Sequence, residues 1–222
     1  MKNILFYINI SDISQYDFDS LLNVSPRFKR EKILKMRNQL SKYQSLAASL
    51  ILGYSLKYFN KNIDDFEIVY NQFGKPFITD LGISFNISHS KEYVICFISD
   101  CEVGCDIQYI DLEKKISGIS KRFYSKNDNK LIDSFDNQKD KSISFYRIWA
   151  GKEAYIKALG KGLSIELDSF DVSLPTDISS LYNINELFAY EPLIDNSYAC
   201  CLCSYEEITE LEIVEVKCKD FL

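Results

Sequence analysis

The chain has 222 residues, of which 46% are hydrophobic and 26% are charged. This length accommodates one large domain or two of about 100 residues, and the composition is that of a globular protein with its own core. A formal net charge of −6 argues against general nucleic-acid binding through a basic surface, so an anionic ligand must meet a local basic patch.

The first ten residues predict a strand and not a targeting segment. Residues 4–10 are rich in β-branched and aromatic residues, which favour strands. The run is too short and too quickly polar for a signal peptide, and no apolar stretch of the chain is long enough to span a membrane. We therefore expect a cytoplasmic protein.

A local basic patch lies between residues 27 and 42. Ser25 and Pro26 predict a helix start there, since serine is a favoured N-cap and proline a favoured first-turn residue. Lys29 and Lys32 are three positions apart and would share one face of this helix. The patch holds seven basic residues and one acidic residue. It is either a solvated helix face or an anion-binding site, and the residues alone leave both open.

Alternating and helical patterns define the elements as far as residue 108. They are a buried helix at 43–59, a short strand at 66–70, a turn at 71–77, paired strands at 85–88 and 93–99 around a turn at 89–92, and a strand at 102–108. Because side chains alternate along a strand, Asp106 and Gln108 would lie on the same face of the last of these.

The remainder of the chain repeats this mixture of helices and strands. The predicted elements are helices near 116–123, 128–135 and 142–159, and strands at 170–172, 187–190, 198–205 and 211–216. Gly160 stands where a glycine commonly ends a helix. The similar content on both sides of residue 102 predicts an α+β protein with an N-terminal half, 1–102, and a C-terminal half, 103–222.

The cysteine pattern indicates reduced, mostly buried thiols. No CxxC pair and no Cys/His array with metal-ligand spacing occurs, and several cysteines sit within apolar runs. A zinc site at the 200–203 cluster is the alternative, but it lacks partner ligands. The seven cysteines are Cys96, Cys101, Cys105, Cys200, Cys201, Cys203 and Cys218.

Two acidic motifs could carry chemistry. Asp106 and Gln108 offer hard oxygen ligands of the kind that Mg²⁺ takes, although an acid at a strand end is often only a solubilising residue. Glu153 and Lys157 are four apart on the predicted helix, which alone could be a simple ion pair. His89, the only histidine, either caps a strand or contacts a phosphate.

Taken together, these motifs resemble the 4′-phosphopantetheinyl transferases, in particular the longer monomeric type that acts on acyl and peptidyl carrier domains. The match is carried by five segments in order, with the helix at Ser25-Pro26 followed by Phe73-Gly74-Lys75-Pro76, Phe85-Asn86-Ile87-Ser88-His89, Val103-Gly104-Cys105-Asp106-Ile107-Gln108, and Trp149 to Lys157 with Gly160-Lys161-Gly162-Leu163. The resemblance implies two similar α/β halves related by pseudo-twofold symmetry, with coenzyme A bound in the cleft between them.

The resemblance also implies a reaction and roles for residues. A carrier serine attacks the β-phosphate of coenzyme A, giving the phosphopantetheinyl carrier and adenosine 3′,5′-bisphosphate. Asp106, Gln108 and Glu153 would ligate Mg²⁺, Glu153 would accept the serine proton, and the segment after Lys161 would dock the carrier. The residues expected to contact coenzyme A are Lys29, Lys32, Lys75, Ser88, His89, Asp106, Lys152 and Lys157.

Two departures from the family pattern leave an alternative open. Gln108 stands where a glutamate is frequent, and Gln44 stands where an arginine is usual, with Lys42 as a possible substitute. A catalytically weak relative that binds coenzyme A or a carrier without efficient turnover is therefore the second hypothesis. An unrelated nucleotide phosphotransferase is a third, but the chain has no glycine loop long enough to cradle phosphates.

Overall fold

The computed structural model describes residues 2–79 and 81–222, with the side chain of Leu163 outside the described part. It is a mixed α+β protein, as the sequence predicts. The helices are α1 (Ile10–Ile13), α2 (Phe18–Val24), α3 (Arg30–Leu34), α4 (Gln39–Tyr58), α5 (Ser117–Phe123), α6 (Lys126–Asp133) and α7 (Gln138–Leu159). The strands are β1 (Asn3–Asn9), β2 (Ile68–Tyr70), β3 (Pro76–Ile78), β4 (Ser84–Ser90), β5 (Tyr93–Ser99), β6 (Val103–Tyr109), β7 (Leu181–Ile184), β8 (Leu187–Tyr190), β9 (Tyr198–Ser204) and β10 (Leu211–Glu215).

The first sheet has the strand order β10-β1-β5-β4, and α4 packs against it. Asn38 caps α4 by accepting a hydrogen bond from the Ser41 amide at 2.9 Å. Apolar side chains of α4, among them Leu46 and Ile51, are fully buried against strand residues such as Phe6. This burial anchors the helix to the sheet and gives the first half its own core.

The second sheet has the order β6-β9-β8-β7, and α7 packs closely on β6 and β9. Gly104 permits this approach, since a Cβ there would lie 2.1 Å from the Ala154 carbonyl oxygen of α7. Gly160 ends α7 with φ +65°, the left-handed conformation predicted for a terminal glycine. The close contact fixes α7, and the side chains on it, relative to β6.

A third apolar cluster fills the space between the two sheets. It joins Leu5 and Phe97 of the first sheet to Cys105, Ile107 and Leu202 of the second, all of them buried. This shared core holds β4 and β6 side by side at the junction of the two halves.

Most predicted elements are present with shifted ends, but α1, α2 and β3 were not predicted and several predictions were wrong or incomplete. Ser25 does not begin a helix: it follows α2 and its hydroxyl donates to the Leu22 carbonyl at 2.7 Å, while a 3₁₀ turn, Arg27–Lys29, leads into α3. Residues 170–172 form no strand, because the Val172 amide donates to Asp128 Oδ1. The β4–β5 turn is confined to residues 91–92, and β7 was not predicted.

The last strand crosses the predicted boundary between the halves. β10 pairs in parallel with β1, with Leu211 opposite Asn3, so the first sheet contains a strand from the C-terminal part of the chain. The division at residue 102 and the pseudo-twofold relation stay predictions.

The cysteines are free thiols, and all but the half-buried Cys101 are buried, as predicted. Burial raises the pKa of the Cys96 thiol to about 12. Across residues 2–79 and 81–222, we find no helix with the length and apolar character that crossing a membrane requires.

Candidate active site

Three elements, β4, β6 and α7, meet and bring Ser88, Asp106 and Lys157 together. Ser88 lies on β4, Asp106 on β6 and Lys157 near the end of α7. The Lys157 ammonium donates to Asp106 Oδ1 at 2.5 Å and to Ser88 Oγ at 3.1 Å, and the Ser88 hydroxyl donates to Asp106 Oδ1 at 2.7 Å. The sequence therefore predicted correctly that these three positions share one region.

Asp106 is buried and is held on both carboxylate oxygens. Its Oδ2 accepts a hydrogen bond from Gln108 Nε2 at 2.7 Å, which confirms that the two side chains lie on one face of β6. In this arrangement Gln108 donates to Asp106 through its amide nitrogen. Its amide oxygen would have to turn toward the site to act as a ligand.

Glu153 lies beside this group, one turn before Lys157 on α7, and is half-buried. Burial raises the pKa of Glu153, and the charge of Asp106 raises it further against the opposing charge of Lys157. Within the described ranges, Glu153 has no ion pair at 4.0 Å or less. The simple Glu153–Lys157 pair is therefore not what the helix makes, since Lys157 turns to Asp106 instead.

The charge of Lys157 is secured by its surroundings. Burial opposes its charged form, but the Asp106 carboxylate outweighs burial, and the net effect is a raised pKa for Lys157. The ammonium thus stays protonated next to the two carboxylates. One fixed cation faces two anions, which leaves an excess of negative charge at this point.

A second basic group lies nearby at His89, Lys29 and Lys32. Burial and the neighbouring Lys32 lower the pKa of Lys29, while burial and the charges of Lys157 and Lys29 lower the pKa of His89. The three side chains are therefore close enough for their charges to influence one another. Such a group suits an anion with several negative oxygens.

Gln44 and Lys42, the two residues considered for the position where the family usually has an arginine, both contact other parts of this protein. Gln44 is buried, and its Nε2 donates to the Lys91 carbonyl in the β4–β5 turn at 2.9 Å. The Lys42 ammonium lies 4.6 Å from the centroid of the Phe18 ring, a cation–π contact.

Lys152 is the predicted site residue that the structure does not bring to this region. It is 0% exposed, and its ammonium pairs with Asp128 at 2.7 Å and donates to the carbonyl oxygens of Leu167 and Phe170. Neighbouring residues on a helix point about 100° apart, so Lys152 faces the core when Glu153 faces the cleft. Its prediction as a coenzyme A contact is corrected: it ties α7 to α6 and to the loop after α7.

Lys75 is near the site, but its ammonium is already occupied. It donates to Glu102 Oε2 at 2.6 Å, to the Ala158 carbonyl at 3.0 Å and to the Val103 carbonyl at 3.1 Å. An ammonium has three protons, so no donor is left for a ligand. The predicted role of Lys75 as a phosphate contact is therefore not what its geometry offers.

A cavity of about 230 Å³ opens next to Lys157. One wall comes from the turn before β3 and from β4, and the other comes from the end of α7. Its lining combines apolar side chains and glycines with Lys75 and Lys157, which suits an organic group attached to an anion. The lining residues include Phe73, Gly74, Pro76, Ile87, Ile156 and Gly160.

Three supporting residues were missed from the sequence. Asn86 is buried and accepts the Cys105 amide at 2.9 Å, which links β4 to β6 immediately beside Asp106. Asn71 and Glu102 hold the turn around Lys75. The polar residue at Asn86 inside an apolar strand, and the asparagine that opens the glycine turn at 71–74, were the available signals.

Comparisons with known proteins identify the family of this chain. The family model of the 4′-phosphopantetheinyl transferase superfamily matches residues 102–203. A relative named 4′-phosphopantetheinyl transferase gsp, from Aneurinibacillus migulanus, is 31% identical over 226 residues, covering 99% of this chain and 93% of its own. Two Bacillus subtilis relatives, 4′-phosphopantetheinyl transferases ffp and Sfp, are 36% and 33% identical, each covering 74% of this chain and 73% of their own.

The carboxylates and the lysine between β6 and α7 thus occur in a chain that is similar, over 99% of its length, to an enzyme of this family. The protein is a transferase enzyme that belongs to the 4′-phosphopantetheinyl transferase superfamily.

Proposed function

We propose that this enzyme transfers the 4′-phosphopantetheine group of coenzyme A to a serine of an apo acyl or peptidyl carrier protein, with Mg²⁺, and releases adenosine 3′,5′-bisphosphate. The proposal rests above all on the convergence of Asp106, Glu153 and Lys157 beside a cleft between the halves. The names of the relatives supply the transferred group. Carrier, donor and metal are our extension of those names.

In the proposed reaction the carrier serine oxygen forms a bond to the β-phosphorus of coenzyme A. The bond from that phosphorus to the bridging oxygen breaks, and the electron pair leaves with adenosine 3′,5′-bisphosphate. The serine proton passes to Glu153, directly or through water. A carboxylate with a raised pKa is a better proton acceptor than an ordinary glutamate, and Glu153 has that property.

The residues present fit a divalent cation. Two carboxylates and an amide provide hard oxygen donors, and Lys157 is the one cation that the described residues place against them. Asp106 and Glu153 would hold Mg²⁺, with Gln108 as a third donor after its amide turns. A bound magnesium ion supplies charge neutralisation for the pyrophosphate.

Lys157 must change partners when ligand enters. Its ammonium now neutralises Asp106. With Asp106 holding a cation, Lys157 would be able to donate to the phosphate oxygens. In that position Lys157 would stabilise the charge that develops on the leaving group. Lys29, Lys32 and His89 would hold the remaining phosphate of coenzyme A, and the cavity beside Lys157 would receive an uncharged part of the molecule.

A catalytically weak coenzyme A or carrier binder is the second candidate function. The observation that favours it is Gln108, which presents an amide donor to Asp106 where a third carboxylate would strengthen cation binding. Gln44 also favours the weak binder, because its amide donates to the Lys91 carbonyl and is not free to contact a phosphate.

Intact-mass spectrometry of an apo carrier protein tests the two candidates. The carrier is incubated with this protein, coenzyme A and Mg²⁺, and we expect a mass gain of one phosphopantetheine that is absent with chelator. No gain on several apo carriers, despite coenzyme A binding measured by calorimetry, would favour the weak binder. A carrier whose acceptor serine is replaced by alanine is the control for nonspecific modification.

Replacing Gln108 by glutamate should lower the Mg²⁺ concentration needed for half-maximal turnover. The change adds a carboxylate oxygen beside Asp106 and removes the amide hydrogen bond to it. A Mg²⁺ titration at saturating coenzyme A measures the effect, with Gln138→Glu, at the start of α7, as the matched control. An unchanged titration would mean that position 108 lies outside the cation's ligands.

A further inference from the structure

The turn between β2 and β3 contacts the two elements that carry the carboxylates. Asn71 organises this turn by accepting the amides of Phe73 and Lys75 on Oδ1 at 2.9 and 3.0 Å. Its Nδ2 donates to the Gly160 carbonyl at 2.7 Å. The turn is therefore attached to the C-terminus of α7, where carbonyl groups have no partner within the helix.

The Lys75 side chain adds the second and third attachments. Its ammonium reaches the Ala158 carbonyl, next to Lys157, and the Val103 carbonyl, at the start of the strand that carries Asp106. A cation at a helix C-terminus is also favoured by the helix dipole. One side chain from the first half thus contacts both β6 and α7 of the second.

Glu102 completes the arrangement from the outer side. Its Oε2 accepts from Lys75, and its Oε1 accepts the Ser84 hydroxyl at 2.8 Å. Burial opposes ionisation of Glu102, but Lys75 and Ser84 outweigh it and lower the pKa of Glu102. The Lys75 side chain is 10% exposed and that of Glu102 is 55% exposed, so the pair points its cation inward.

Gly160 at the end of α7 packs tightly against Asn71 and Lys75 of the turn. A Cβ at Gly160 would come within 3.1 Å of both Asn71 Nδ2 and Lys75 Cδ. The end of α7 is consequently in direct contact with the turn, and movement of the Lys75 side chain would be transmitted to it.

We propose that Lys75 is a positioning residue, which holds the start of β6 and the end of α7 at a fixed separation and so aligns Asp106, Glu153 and Lys157. The inference rests on the proposed function for its effect on turnover. It differs from the role of a ligand contact, because a positioning residue affects the reaction step and a phosphate contact affects binding of coenzyme A.

The test compares Lys75→Met, Glu102→Ala and the double variant. Methionine keeps most of the stem of Lys75 and removes the ammonium, and Glu102→Ala is a milder change because Glu102 is half exposed. We expect Lys75→Met to lower kcat by about tenfold or more, as displaced catalytic groups do, and to change the Kd for coenzyme A far less in calorimetry, because methionine keeps the stem of the side chain that lines the cavity. Glu102→Ala should lower kcat in the same direction with less effect.

Additivity provides the second readout. Because both variants break the same contact, the double variant should have the kcat of Lys75→Met and not the product of the two losses. Lys29→Met is the comparison for a ligand contact, and it should weaken coenzyme A binding. Melting curves for every variant separate lost alignment from lost folding.

Two results would overturn the proposal. One is a weakened coenzyme A affinity in Lys75→Met with no change in Glu102→Ala, which would make Lys75 a ligand contact. The other is independent, additive effects of the two substitutions on kcat. If the wild-type protein transfers nothing, the proposed function fails. The contact that Lys75 makes with β6 and α7 is then tested by coenzyme A calorimetry and by the coupling of the two substitutions in the free energy of unfolding.

Discussion

Glu153→Gln should lower turnover by about 10²–10⁴-fold, the range that a positioned proton acceptor contributes. The substitution keeps the size of the side chain and removes both its charge and its ability to accept a proton. Asp106→Asn should have a loss of similar order, because it removes the carboxylate that faces Lys157 and Gln108. Initial rates of carrier modification at saturating coenzyme A and Mg²⁺ measure both.

The two variants should differ in stability, which separates chemistry from folding. The raised pKa of Glu153 means that the folded state disfavours its charged form, so a neutral glutamine should leave the melting temperature equal or slightly higher. Asp106→Asn leaves the Lys157 ammonium without its counter-charge and should therefore lower the melting temperature. Near-wild-type rates for both variants with ordinary Mg²⁺ dependence would contradict the roles assigned to these carboxylates.

Lys152→Met should destabilise the fold by about 3–5 kcal/mol, the usual result of removing one partner of a buried ion pair. The change leaves the Asp128 carboxylate buried, with only backbone amides such as that of Val172 to compensate it. It also removes the donor to two carbonyls in the loop after α7. Urea unfolding followed by circular dichroism gives the free energy of unfolding.

The chain offers a matched control in an exposed pair. Lys35 and Glu31 form an i,i+4 ion pair with side chains 79% and 90% exposed, so Lys35→Met should cost less than about 1 kcal/mol. A stable Lys152→Met protein with weakened coenzyme A binding would restore the earlier prediction that Lys152 contacts the ligand. Asp128→Asn in the Lys152→Met background should recover part of the lost stability, because the unpaired charge is then gone.

Local patterns predicted the parts of the site that depend on local spacing. The alternation of a strand placed Asp106 with Gln108, and helical spacing placed Glu153 with Lys157. The spacing of apolar residues does not show which face of α7 packs against the core, because this helix is buried on several sides. The direction of Lys152 was therefore mispredicted, because it depends on Asp128 in another helix.

The other misses have equally local causes. Ser25 and Pro26 have the composition of a helix start, but Ser25 ends the preceding helix, which was not predicted. The β7–β8 hairpin was only half predicted, although Asn185, at φ +49°, is the kind of residue that marks such a turn. Lys75 lies in a segment that matches the family motif. The motif does not show, however, that the ammonium of this lysine donates all its hydrogen bonds to groups within the protein.

The pairing of β10 with β1 has a consequence for how the protein is made. During synthesis the outer edge of β1 is free until Leu211–Glu215 have left the ribosome, so the first sheet is completed late although its first strand is made first. Contacts between such distant parts of a chain slow folding and leave strand edges open meanwhile. The outer edge of β1 therefore stays unpaired until almost all of the remaining chain has been made.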